Sequence, residues 1–100
     1  MIPEEYFLVL AAILFAIGAF GVLTRRNAIV VLMSIELMLN AANINFVTFA
    51  VYNGDIAGQV FALFSIAIAA AEVAVGLAIL LNLQRLKDTV ELPDLHLLRW

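Results

Sequence analysis

The sequence contains no cysteine and a single histidine. Without thiolates there are no disulfides and no cysteine ligands for zinc or an iron–sulfur cluster. His96 lies beyond the last apolar run, so no imidazole is placed to ligate a haem inside a membrane bundle. Charge is scarce as well: Asp, Glu, Lys and Arg make up 13% of the chain, and only five residues are basic. A nucleic-acid-binding face is therefore excluded. Proline occurs only at Pro3 and Pro93, outside every apolar run. The sequence has no Ser/His/Asp set, glycine-rich phosphate loop or metal-spaced ligands, so no covalent chemistry is expected of this chain.

What the chain has is apolar surface. Of its 100 residues, 66% are hydrophobic, against roughly 45–50% in ordinary soluble domains. So short a chain cannot hide that surface in a core of its own. A soluble monomer and a disordered chain are both excluded, and a membrane protein remains. Residues 6–23 carry no charge, residues 28–52 carry only Glu36, and residues 56–83 carry only Glu72. A spanning helix needs about 20 mostly apolar residues. The expected fold is an all-α integral membrane bundle of three transmembrane helices, at about 6–23, 28–52 and 56–83, followed by a tail at 84–100. Too little chain is left for an extramembrane catalytic domain.

The acidic start, Met1-Ile2-Pro3-Glu4-Glu5, lacks the positive charge of a signal peptide, so the first span is expected to be retained. All five basic residues (Arg25, Arg26, Arg85, Lys87 and Arg99) fall on one side of the predicted spans. The positive-inside bias then places the N-terminus outside and the C-terminus in the cytoplasm. Asn53-Gly54-Asp55 reads as a turn, with Asp55 placed to cap the third helix. The short link Thr24-Arg25-Arg26-Asn27 makes an antiparallel hairpin of the first two helices. Arg25 and Arg26 read either as headgroup anchors or as charge contacts with a partner subunit.

Glu36 and Glu72 are the informative residues. An acid inside the membrane is expensive and by default functional. At about 1.5 Å per residue, Glu36 lies ~12 Å and Glu72 ~17 Å from the cytoplasmic ends of their helices. In a hydrocarbon core about 30 Å thick, both fall near the midplane. Low dielectric disfavours the charged form of an acid, and two acids in contact titrate as a pair. Two carboxyls at matching depth form a lateral proton relay in principle. The competing reading makes each a neutral hydrogen-bond donor that holds helices together.

On the second helix, Asn40 and Asn43 fall within about 60° of Glu36. They read equally as a face that holds water beside Glu36 and as cross-helix hydrogen bonds. Asn45 and Thr48 point elsewhere and are expected to pack. On the third helix, Ala67, Ala71, Ala74 and Ala78 form a small-residue face suited to close helix packing, with Glu72, Ser65 and Gly76 on another side. Gly18 and Gly21 are expected to be packing contacts.

The runs Leu23-Thr24-Arg25-Arg26-Asn27-Ala28, Ser34-Ile35-Glu36-Leu37-Met38-Leu39-Asn40-Ala41, Gly58-Gln59-Val60 and Ala69-Ala70-Ala71-Glu72-Val73-Ala74-Val75-Gly76-Leu77-Ala78 resemble the subunit K family of NADH-quinone oxidoreductase, the bacterial respiratory complex I. The resemblance runs in order over nearly the whole chain. It implies a membrane subunit of the inner (cytoplasmic) membrane, lying between the quinone-site region and the antiporter-like subunits. It further implies that Glu36 and Glu72 belong to a chain of buried charges coupling quinone reduction to proton translocation. The family's cytoplasmic arginine loop corresponds to Arg25 and Arg26. NADH, flavin mononucleotide, iron–sulfur clusters and quinone would then belong to partner subunits. The small subunit of multisubunit sodium/proton antiporters resembles the same family in fold and is the alternative, with a purely structural membrane scaffold as the third reading.

Overall fold

The computed structural model describes residues 1–87. The remainder of the expected tail, with His96 and Arg99, lies outside the described residues. Three helices follow in order: α1 Glu4–Thr24, α2 Ala28–Tyr52 and α3 Ile56–Lys87. Each is long and apolar enough to cross a membrane. The chain is a multi-pass membrane protein.

The helix ends follow from local chemistry. α1 begins at Glu4, ahead of the expected residue 6, because Pro3 ends the extended segment and its carbonyl accepts from the Tyr6 amide at 3.2 Å. Glu4 and Glu5 then fill the first turn, where the helix dipole favours negative charge. The Asn27 side chain caps α2, its Oδ1 accepting from the amides of Ile29 (2.9 Å) and Val30 (3.3 Å). Asp55 caps α3 in the same way, accepting from the Gly58 amide at 2.9 Å. Gly54 takes a φ of +65° in the turn between α2 and α3, a conformation that glycine adopts without strain. α3 continues past residue 83 into the expected tail, because Gln84-Arg85-Leu86-Lys87 contains no glycine or proline to stop it.

α2 is the central helix. It packs antiparallel against both α1 and α3, which at most graze one another. The bundle is thus an open row. The α1 side of α2 is marked by Ser34 and Met38, which meet Gly18 and Gly21. The α3 side is marked by Leu32 and Ala50, which meet Gly76 and Gly58.

Small residues make these contacts. Among the described residues the buried hydrophobic ones are all alanines: Ala11, Ala28, Ala41, Ala50, Ala62 and Ala69. No large side chain of the described residues is fully buried, while aromatics such as Phe15, Phe20, Phe61 and Phe64 face outward. That is the arrangement expected where lipid, and not water, surrounds the chain and helices associate by close backbone approach. A Cβ on Gly18 would stand 2.7 Å from the Ser34 carbonyl oxygen, so only glycine fits there.

The small-residue face expected on α3 is not the one that packs. Ala67, Ala71, Ala74 and Ala78 are all exposed. Contact with α2 falls instead on the buried Ala62 and Ala69 and the half-buried Gly76 and Leu83. Ala69 lies about half a turn from Ala67 and from Ala71 at about 100° per residue, so one stripe faces in while the other faces out.

Candidate functional site

The α2–α3 contact has a regular antiparallel register. Leu32 meets Gly76. One turn along α2 and one turn back along α3, Glu36 and Glu72 come to the same level. Further along, the Ser65 hydroxyl donates to Asn43 Oδ1 at 2.7 Å. Phe46 and Phe61 then meet edge to face at 6.3 Å, and Ala50 lies against Gly58. Near the opposite end, Ala28 is buried against Leu80 and Leu83.

At the level of the acids this register leaves a cavity of about 80 Å³. Glu36 and Glu72 line it from opposite helices, with Leu32, Ile35, Leu39 and Val73 completing the wall. Among these lining residues only Glu36 and Glu72 have polar side chains. Glu36 is half-buried, and its Oε2 is buried with no hydrogen-bond partner among the described residues. Glu72 is exposed and also borders an outer groove of α3 with Ile68, Ala71, Val75, Gly76 and Ile79. One acid thus stands inside the helix pair and the other at its lip.

The supporting residues divide. Asn43 is buried at 6% exposure and bonds across to Ser65, the cross-helix role. Asn40 is exposed and shares a shallow pocket with Asn43, Thr48, Phe7 and Ile66. Neither asparagine lines the cavity of the two acids. Arg25 and Arg26 are exposed in the α1–α2 link, where the Arg25 amide closes α1 by donating to the Gly21 carbonyl at 3.1 Å. Thr48 is buried and donates back to the Ile44 carbonyl at 2.7 Å, a packing role as expected. Asn45 is different: its Oδ1 is buried and has no hydrogen-bond partner among the described residues.

Residues 6–100 match the family of NADH-ubiquinone/plastoquinone oxidoreductase chain 4L. The chain belongs to this family. It is 52% identical over 99 residues to the NADH-quinone oxidoreductase subunit K of Roseiflexus castenholzii, covering 99% of each chain. It is 56% identical over 102 residues to the NAD(P)H-quinone oxidoreductase subunit 4L of a Synechococcus strain, covering 100% of both. To subunit K 2 of Rhizobium etli it is 56% identical over 99 residues, again covering 99% of each. As a chain 4L protein it is a membrane subunit of a quinone oxidoreductase complex, with other subunits of that complex as its partners. Neither the sodium/proton antiporter subunit nor a stand-alone scaffold is favoured beside this match.

Sequence reasoning missed two structural residues. Asn27 was signalled by its place just before an apolar run, where N-caps sit. Ser65 was placed on the Glu72 side of the third helix, but its bond to Asn43 depends on the register of α3 against α2.

Proposed function

We propose that this chain relays protons sideways through the membrane arm of a proton-translocating NADH:quinone oxidoreductase, with Glu36 and Glu72 as the carriers. The observation that carries this reading is that Glu36 and Glu72 line one cavity between α2 and α3. The cavity has room for a few water molecules, and the two acids supply their polar contacts. A proton on Glu36 reaches Glu72 through such water. Glu72, at the lip, hands it to a neighbouring subunit. Glue by a neutral Glu36 is disfavoured, because its Oε2 finds no partner among the described residues.

The drive is electrostatic. A charge that appears ~10 Å away, at an effective dielectric of about 20, changes the energy of a carboxylate by about 1.7 kcal/mol. That is enough to move a proton between two sites of similar affinity. NADH, flavin, iron–sulfur clusters and quinone are placed on partner subunits, in keeping with a sequence that has no cysteine. The quinone-site subunits stand on one side and the antiporter-like subunits on the other. Arg25 and Arg26 lie at the cytoplasmic mouth, with the N-terminus outside the inner membrane.

The test is Glu36→Gln in the intact complex. Assembly is expected to persist while quinone-coupled proton pumping falls sharply; Glu72→Gln is expected to give a partial loss. Normal pumping by Glu36→Gln would return both acids to a structural role.

A further inference from the structure

Glu36 and Glu72 divide the α2–α3 seam into two unlike halves. On one side of them the seam is polar, where the Ser65 hydroxyl donates to Asn43 Oδ1. The other side runs toward the end of the bundle that carries Arg25, Arg26 and Arg85. There Gly76 leaves room that the Leu32 side chain occupies: a Cβ on Gly76 would stand 3.3 and 3.4 Å from the two Leu32 methyls. One turn further on, Ala28 is buried against Leu80 and Leu83. Between Ala28 and Glu36 the only polar side chain of α2 is Ser34, which faces α1 at Gly21 and donates to the Val30 carbonyl at 2.9 Å. Between Glu72 and Leu83 the only polar side chain of α3 is Asn82, which is exposed. This half of the seam thus holds no polar side chain.

We propose that Leu32 seals the carboxyl cavity from the arginine end of the bundle, so that a proton on Glu36 leaves sideways through Glu72 and does not run back along the helices. The proposal rests on the relay described above, in which that end is cytoplasmic. Leu32 lines the cavity and so stands between the acids and the apolar half of the seam. Apolar constrictions close a water path by dewetting. From Leu32 to Ala28 is one turn, or about 6 Å along the axis. A chain of water would need about two links there, each about 2.8 Å long. An ordered buried water needs about two to four polar partners. Water in the cavity has the two carboxyls, whereas water beyond Leu32 has no polar side chain to hold it. Glycine at 76 completes the seal, because α3 puts no side chain in the space that Leu32 fills.

Leu32→Asn nearly keeps the size of the side chain but gives water a partner beside Gly76, while Leu32→Met keeps the seam apolar. Leu32→Thr is a second, smaller polar replacement. The intact complex carrying each variant is reconstituted in proteoliposomes at equal content of this chain. Protons delivered per quinone reduced are measured, together with the rate of quinone reduction in the presence of an uncoupler. Both polar variants are expected to keep the quinone rate while the ratio falls roughly twofold, as when a return path opened by wetting competes evenly with forward transfer. Leu32→Met is expected to match the unaltered chain. A ratio unchanged in both polar variants would overturn the seal, as would an equal fall in Leu32→Met. Glu36→Gln separates this outcome from failure of the relay itself. If Glu36→Gln loses pumping while the polar variants keep the full ratio, the relay stands and the seal alone falls; if Glu36→Gln pumps normally, both fall together.

Discussion

Ser65 donates its hydroxyl to Asn43 Oδ1 at 2.7 Å, and the bond sits two helical turns from the acids on both helices. Asn43 follows Glu36 on α2 by the same interval at which Ser65 precedes Glu72 on α3. The bond therefore fixes the register that brings the two carboxyls level.

Ser65→Ala is expected to weaken this register by leaving the Asn43 oxygen buried and unmet. Interhelical bonds of this kind in membranes contribute about 0.6 kcal/mol on average, and an orphaned buried acceptor adds to the loss. Asn43→Leu alone strands only the Ser65 hydroxyl, which can turn back to its own helix. The double variant is expected to be more stable than Ser65→Ala alone. Retention of the subunit in the complex on stepwise heating, measured for all three variants, gives the coupling; strict additivity would assign the bond no energy.

Gly18 and Gly76 both lie at helix contacts, yet their alanine variants are expected to differ. At Gly18 the new Cβ would stand 2.7 Å from the Ser34 carbonyl oxygen, which is backbone and cannot swing aside. At Gly76 it would stand 3.3 Å from Leu32 Cδ1, the tip of a flexible side chain. Gly18→Ala should cost about 1–3 kcal/mol, as overpacking does. Gly76→Ala should cost far less, and the alanine is also the better helix former. Immunoblots of subunit abundance in membranes check the order; equal abundance of the two variants contradicts it.

The Asn27 cap allows a local test. Removing a capping side chain costs about 1 kcal/mol. Asn27→Ala should speed hydrogen exchange at the Ile29 and Val30 amides, which donate to Asn27 Oδ1. Asn27→Asp should keep them protected, because a carboxylate accepts the same bonds beside the positive end of the helix dipole. Equal exchange in both variants would remove the cap from the account.

The three spans were legible because charge is almost absent from them, and the turns because Asn27, Gly54 and Asp55 carry their own backbone chemistry. That Glu36 and Glu72 stand level with one another was legible from counting residues along the spans. Direction around each helix was less so. In water, polarity marks the buried side of a helix; in lipid, both the neighbour and the surroundings are apolar, and small residues decide instead. α3 offers two stripes of them, one through Ala67 and Ala71 and the other through Ala62 and Ala69. Only the latter packs on α2, a choice set by where Asn43, Leu32 and Ala50 stand on the facing helix.

The proposed relay is serial, and seriality has a consequence for combined variants. Glu36 is half-buried with an unpartnered oxygen, while Glu72 is exposed and borders both the shared cavity and the outer groove of α3. If protons pass through Glu36 before Glu72, removing the second carrier adds nothing once the first is gone. Groups that act as one unit show such non-additivity. Glu36→Gln combined with Glu72→Gln is therefore expected to pump no worse than Glu36→Gln alone. With independent paths, the fractional losses would multiply and the double variant would fall clearly below either single one. Protons delivered per quinone reduced, measured in proteoliposomes for the three variants, separates the two cases. The comparison holds only among preparations with equal subunit content, because Glu72 is exposed and borders the outer groove of α3, so that loss of subunit must be separated from loss of proton transfer.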